Sequence, residues 1–284
     1  MDWSKAKSIL VVALIITNAL LGIVLFQSER NVDTTLKKEF IEETVRLLEN
    51  KDIKVDTDIP RKNPKLATLT VEYENVEPGI VNRNFFNDKG NISFKDKDEV
   101  LIDISYNDEL ITILNKKHLI YESKSNNDNF DIKDEKDAVY IALNFLKSKN
   151  YSTSDMKVSF VKLVDDVYNI EFTKLYKDYF LESSFTNIQV GSKGIIKMER
   201  QWLNMIDASE NPKSISSAPK SLLGLLSMEE VYGKTIKDIS ICYYFDPKKH
   251  AYIDNPEEAQ QGRAIPAWRI QFDDGDKVFI DSYN

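Results

Sequence analysis

The chain is poor in the residues from which reactive sites are most often built. Its 284 residues include one cysteine, Cys242, and two histidines, His118 and His250. A single cysteine excludes a disulfide within the chain and a thiolate zinc cluster. The histidines stand far apart in sequence, in neither an H-x-x-x-H nor an H-x-H spacing, and no G-x-S-x-G is present. Basic residues are also in deficit. Lys and Arg total 38 against 46 Asp and Glu, a formal net charge of −8. Phosphate neutralisation needs clustered cations, so nucleic acid is excluded as the main partner. The chain does have apolar residues (42%) and aromatics (11%), enough for a packed core rather than disorder.

The apolar residues are most concentrated at the start, in "MDWSKAKSILVVALIITNALLGIVLF". Residues 9–26 are interrupted only by Thr17, Asn18 and Gly22. As a helix they span about 27 Å, close to the ~30 Å hydrocarbon core of a bilayer. Lys5 and Lys7 before them favour a cytoplasmic N-terminus, which puts everything from about Gln27 outside. No small-x-small pair follows Gly22 for a signal peptidase, and Ile23 stands where a lipoprotein would need cysteine. The segment therefore reads as a retained single-pass anchor. Ala6, Leu10, Ala13, Thr17 and Leu20/Leu21 share one face; Asn18 and Gly22 form a polar–small pair on another. Such residues suit helix association in a membrane. A passive anchor tolerates them equally, so both readings stand.

About 250 residues remain outside, enough for one large or two ordinary domains. Residues 33–50 read as an amphipathic helix with Leu36, Phe40, Leu47 and Leu48 on one stripe. A breaker-rich loop, residues 57–64, leads to strand-like alternation at Leu69, Val71 and Tyr73. The alternation returns at Val100, Ile102, Ile104 and Tyr106, and around Ile111 and Ile113. "SKSNNDN" (residues 123–129) reads as a linker. Beyond it a weak repeat appears, each pass running helix, strand, Gly-turn hairpin. In the first, Asp134 caps a helix with Ala138, Ile141, Ala142, Phe145 and Leu146 in a stripe; two strands joined by Asp165-Asp166 and the hairpin "NIQV-GSKG-IIKMERQW" follow. In the second, Ser217 caps a helix carrying Ala218, Leu222, Leu225 and Leu226, followed by "ISICYYF", an insertion (246–264), and the hairpin "WRIQF-DDGD-KVFI". Trp202 and Trp268 fall in the two hairpins and read as packing residues.

The fold expected is therefore α+β: the N-terminal transmembrane helix, then extracytoplasmic antiparallel sheets each packed by a helix. The expected division is 1–30 cytoplasmic tip and anchor, 31–125 membrane-proximal domain, and 126–284 C-terminal domain with modules at about 130–205 and 214–284.

Catalytic spacings fail one by one. Ser154 and Lys157 match S-x-x-K, but the accompanying S-D-N and K-T-G elements are missing: "SNN" (125–127) precedes the serine, and "GKT" (233–235) has the wrong order. Met228 replaces the upstream glycine of a phosphate-binding loop. Cys242 alternates with apolar residues and reads as a small buried hydrophobe. Asp165/Asp166, Glu229/Glu230 and Asp273/Asp274 are neighbours in turns, not carboxylates flanking a bond. "DDGDK" places its glycine too early for a calcium loop, leaving at most a weak cation site.

The opening Met1-Asp2-Trp3-Ser4-Lys5, with Asn18 in the anchor, resembles the YycI (WalI) family. So does the end, where "ISSAPKSLLGLL", "ISICYYF" and "AIPAWRIQF" present a Ser-capped helix, a strand with paired tyrosines, and Pro266, Trp268 and Arg269. The resemblance implies an extracytoplasmic accessory protein of a bacterial two-component system that governs cell-wall metabolism. Its partners would be a WalK (YycG)-like sensor histidine kinase, a YycH-like sister protein and the membrane, with no nucleic acid and no small-molecule substrate. It implies no catalytic residues, cofactor or metal. Ala13, Thr17, Asn18 and Gly22 become the candidate helix-contact residues. Two other classes remain as alternatives: an anchored cell-wall enzyme using His118 or His250, and a module binding a wall polymer or a protease.

Overall fold

The computed structural model describes residues 11–22, 38–95, 100–124, 130–250 and 259–281. It is α+β. Residues 11–22 form helix α1. Among the described residues no helix is long and apolar enough to cross a membrane; the expected span, residues 9–26, runs past both ends of α1.

Fourteen strands join one sheet, almost all in antiparallel pairs. One arm of it holds β4 (Asn91–Phe94), β5 (Leu101–Tyr106), β6 (Glu109–Leu114) and β7 (His118–Ser123) as a meander. β7 pairs with β11 (Gly194–Gln201), so the sheet continues directly into the first repeat-like module, β8 (Met156–Val164), β9 (Val167–Tyr176), β10 (Tyr179–Gly191) and β11. β10 then changes neighbours. Phe185 to Gly191 pair with β11, whereas Phe180 to Glu182 pair in parallel with β14 (Thr235–Tyr244) of the second module. Ser183, at φ 70°, sits at the switch. The second module adds β15 (Gln261–Phe272) and β16 (Lys277–Asp281), and β15 also pairs with β3 (Leu69–Tyr73).

Several local expectations hold for stated physical reasons. Asp134 caps α4 (Glu135–Ser148), its carboxylate accepting from the backbone N–H groups of Lys136 and Asp137 at 2.9 and 3.0 Å. Ala138, Ala142 and Leu146 are buried beneath that helix. Asp165 and Asp166 both take positive φ (48° and 62°), the twist-matched turn that closes the β8–β9 hairpin without glycine. Leu69, Val71 and Tyr73 are buried in alternation along β3.

Other elements differ. The stripe of α2 (Lys38–Glu49) is rotated: Thr44 and Leu48 are buried, while Phe40 is 38% exposed. Ser217 occupies the N-cap position of α5 (Ala218–Leu222) but makes no side-chain cap bond. That helix lasts five residues before passing into a 3-10 segment, Leu223–Ser227. Pro219 starts it well, but Gly224 weakens continuation. The region around Pro78 and Gly79, where periodicity gives no helix, forms α3 (Pro78–Phe86), ended by Asn87 in the left-handed conformation.

Two main cores result. α3 and α4 cover β5–β7 and β9–β11 through Phe85, Phe86, Leu146, Ile170, Phe172, Ile188 and Met198. The second core joins Leu48 of α2 and Ile53 to Leu222, Leu225, Ile236, Trp268 and Phe272. Thus the short α5 does not cover its module alone. α2 completes the layer, and β1 (Lys54–Val55), just after it, pairs in parallel with β14.

Candidate functional site

On α1, the four candidate contact residues are all exposed. Thr17 Oγ1 donates to the Ala13 carbonyl at 2.9 Å, so its hydroxyl is already used within the helix. A Cβ added to Gly22 meets nothing within 4 Å, leaving that position open to a close neighbour. At about 100° per residue, Ala13/Thr17 and Asn18/Gly22 form separate strips, with Thr17 and Gly22 roughly 140° apart.

Residues with catalytic potential are dispersed and engaged elsewhere. His118 on β7 sets Nε2 2.9 Å from Glu199 Oε1, a bond that holds the Glu199 carboxyl below its usual range. Ser154 lies exposed and hydrogen-bonds with Ser152 at 3.0 Å, while the Lys157 ammonium rests over the Phe180 ring, 5.2 Å from its centroid. Cys242 is fully buried, and burial pushes its thiol pKa well up, which keeps it protonated and unreactive. In the "DDGD" turn a lysine takes the place of a cation: Lys234 Nζ lies 2.7 Å from Asp274 Oδ2 and also bonds Asp276. Among the described residues no group of three or more His, Cys, Asp and Glu is placed to hold a metal. His250 ends α6 (Pro247–His250), and its side chain lies outside the description.

What the structure does bring together is a buried charge network where the two modules meet. Arg269, 1% exposed, donates from Nε to Glu182 Oε1 at 2.7 Å, from Nη1 to Asp238 Oδ2 at 2.7 Å and from Nη2 to Gln271 Oε1 at 2.8 Å. Lys277 bonds Glu171 and stands 3.6 Å from Glu182 Oε2. Burial raises the Glu171 carboxyl, but the Lys277 charge and bonds from Lys277, Ser159 and Thr173 outweigh it and leave its pKa lowered. Gln271 Nε2 donates to the Ser159 carbonyl at 3.1 Å, tying β15 to β8. On the opposite face of β15, buried Trp268 donates from Nε1 to the Ser216 carbonyl at 2.8 Å. Strand alternation alone separates Trp268 from Arg269. No local signal marks Glu182 as the arginine's partner, because the two lie 87 residues apart.

A second cation, Arg200, is bound by Glu74 through Nε and Nη2 at 3.0 and 2.8 Å and lies between the rings of Trp202 and Tyr151. Burial pushes the Tyr151 phenol up to about 12. These groups are mutually satisfied. They hold strands together and leave no poised acid, base or nucleophile among them.

The model of the YycI protein family matches residues 31–283. No curated protein matches the chain. Among solved structures, an uncharacterised protein from Eubacterium rectale is similar at TM-score 0.53 and 11% identity, over 86% of this chain and 96% of that one. The C-terminal domain of Bacillus megaterium YpeB aligns at TM-score 0.40 and 11% identity, over 74% and 94%. The first likeness concerns the fold alone. The family match spans the meander, both modules and the strand that carries Trp268 and Arg269, and the chain therefore belongs to the YycI family.

Proposed function

We propose that this chain is a membrane-anchored, non-enzymatic accessory protein that biases the signalling state of a WalK-like sensor kinase through helix contacts in the bilayer and ectodomain contacts outside it. Family membership implies a regulatory accessory protein of the WalK two-component system, associated with that system and with the related YycH, rather than an enzyme. The anchor and the particular contacts are our reading. The observation that carries it is the family match combined with an exposed apolar helix whose Asn18/Gly22 strip is uncovered.

The physical requirement is modest. A partner that binds one kinase state better shifts the equilibrium by its differential affinity, and couplings of roughly 1–3 kcal/mol are usual. The separate strips suit two neighbours: Asn18 and Gly22 offer a polar group beside a close approach, and Ala13 offers a small surface beside an internally bonded threonine.

A membrane two-hybrid assay with the kinase tests this. The double substitution Asn18→Leu, Gly22→Leu is expected to reduce the signal about fivefold or more while export stays intact. Ala13→Leu alone should do less. An undiminished signal from the double variant would remove anchor-mediated contact as the route.

A further inference from the structure

The face of β9–β11 turned away from α4 is open and polar. Ile170, Phe172, Ile188 and Met198 point into the α4-covered core, so the alternate residues Asn169, Glu171, Asn187, Gln189, Lys197 and Glu199 share the other face. They form two cross-strand rows, Glu171–Asn187–Glu199 and Asn169–Gln189–Lys197. Together with Phe160 of β8 they line a cleft of about 290 Å³.

Most of the polar groups in this cleft have protein partners. Gln189 Nε2 donates to Asn169 Oδ1 at 3.0 Å. Glu171 is bonded by Lys277, Ser159 and Thr173. Glu199 is bonded by His118, and Lys197 lies 3.6 Å from Glu122. Asn187 differs: its Oδ1 is buried and has no hydrogen-bond partner. The carboxylates on both neighbouring strands only accept, so the row itself cannot supply a donor. An orphaned buried acceptor is destabilising for the fold alone. The cleft thus has an unmet demand for a donor. Its charge is largely balanced, because lysines stand beside the carboxylates, and it therefore favours a neutral donor over a cation.

The geometry points to a binding site for one unit of a neutral, hydroxyl-rich glycan. A sugar hydroxyl donates to Asn187 Oδ1, the carboxamides of Asn169 and Gln189 bond its neighbours, and Phe160 meets the apolar face of the ring. The volume, at the lower end of ligand clefts, suits a single ring of a longer chain. This site is independent of the anchor and adds a ligand to the regulatory reading.

Calorimetric titration of the full-length protein, in a detergent without a sugar headgroup, tests it with cellotetraose and N,N′,N″,N‴-tetraacetylchitotetraose. Saturable binding of at least one is expected, weakened tenfold or more by Asn187→Leu, with the melting temperature of that variant unchanged or raised. Should Asn187→Leu not fold, Gln189→Ala serves, with an expected loss of about threefold. Absence of binding by both glycans overturns the proposal, as does undiminished binding by the folded variants. So does displacement of the glycan by spermidine in a salt-sensitive manner, which would make the cleft a cation site. None of these results bears on the two-hybrid outcome, so the two readings fail separately.

Discussion

The two repeat-like modules solve the same packing problem with different parts. The first covers its sheet with a 14-residue helix of its own, α4, capped by Asp134 and joined by α3. The second has only the five-residue α5 and a 3-10 turn, and it borrows α2 from the far end of the chain to close its core. A module with a full helix is locally specified; one with a truncated helix depends on distant sequence. That dependence joins the segment nearest the anchor to the last strands of the protein.

The comparison can be broken most forcefully at the joint. Glu182→Ala leaves Arg269 buried without its main partner and removes a contact of Lys277. We expect a loss of about 3–5 kcal/mol in urea unfolding, the usual result of removing one member of a buried pair. A loss below about 1 kcal/mol would mean that the network does not hold the modules together.

Next in size is Leu48→Ala, which empties a fully buried site of α2. A cost of about 2–4 kcal/mol is expected. Amide exchange should rise in β14 and β15 more than in β9 and β10, because Leu48 belongs to the core of the second module only. Equal effects on both modules would contradict the division drawn above.

The smallest effect sharpens the contrast between the helices themselves. Asp134→Ala removes two cap bonds and should cost about 1 kcal/mol. Ser217→Ala, at a cap position where no side-chain bond is made, should cost less than about 0.5 kcal/mol by thermal melts. Equal losses would show that both serve as true caps.

The sequence was legible where a local pattern is sufficient. Alternation at Leu69, Val71 and Tyr73, the cap at Asp134 and the acidic turn at Asp165-Asp166 depend on near neighbours, and the structure forms them as read. The class, α+β with an antiparallel sheet, was equally readable. The α2 stripe was misjudged because its partners, Leu222 and Leu225, lie far along the chain and select Thr44 and Leu48 over Phe40. The change of neighbours within β10 has no period to betray it. Among site residues, Asn18 and Gly22 stood out as breaks in an apolar run. Glu182 and Asn187 did not, because the meaning of each is set by the strands beside it.

The seating of α2 also fixes an order of events. Lys237 and Asp56, which bond beside it, are 181 residues apart, so α2 leaves the ribosome long before the surface it will cover. Until the final hairpin emerges, Leu48 and Ile53 have no permanent neighbours. Such non-local pairings slow folding and lengthen exposure to misassembly. A nascent chain halted before Trp268 would therefore keep a sticky amphipathic helix in search of a surface, and its maturation is a matter for chaperones as much as for sequence.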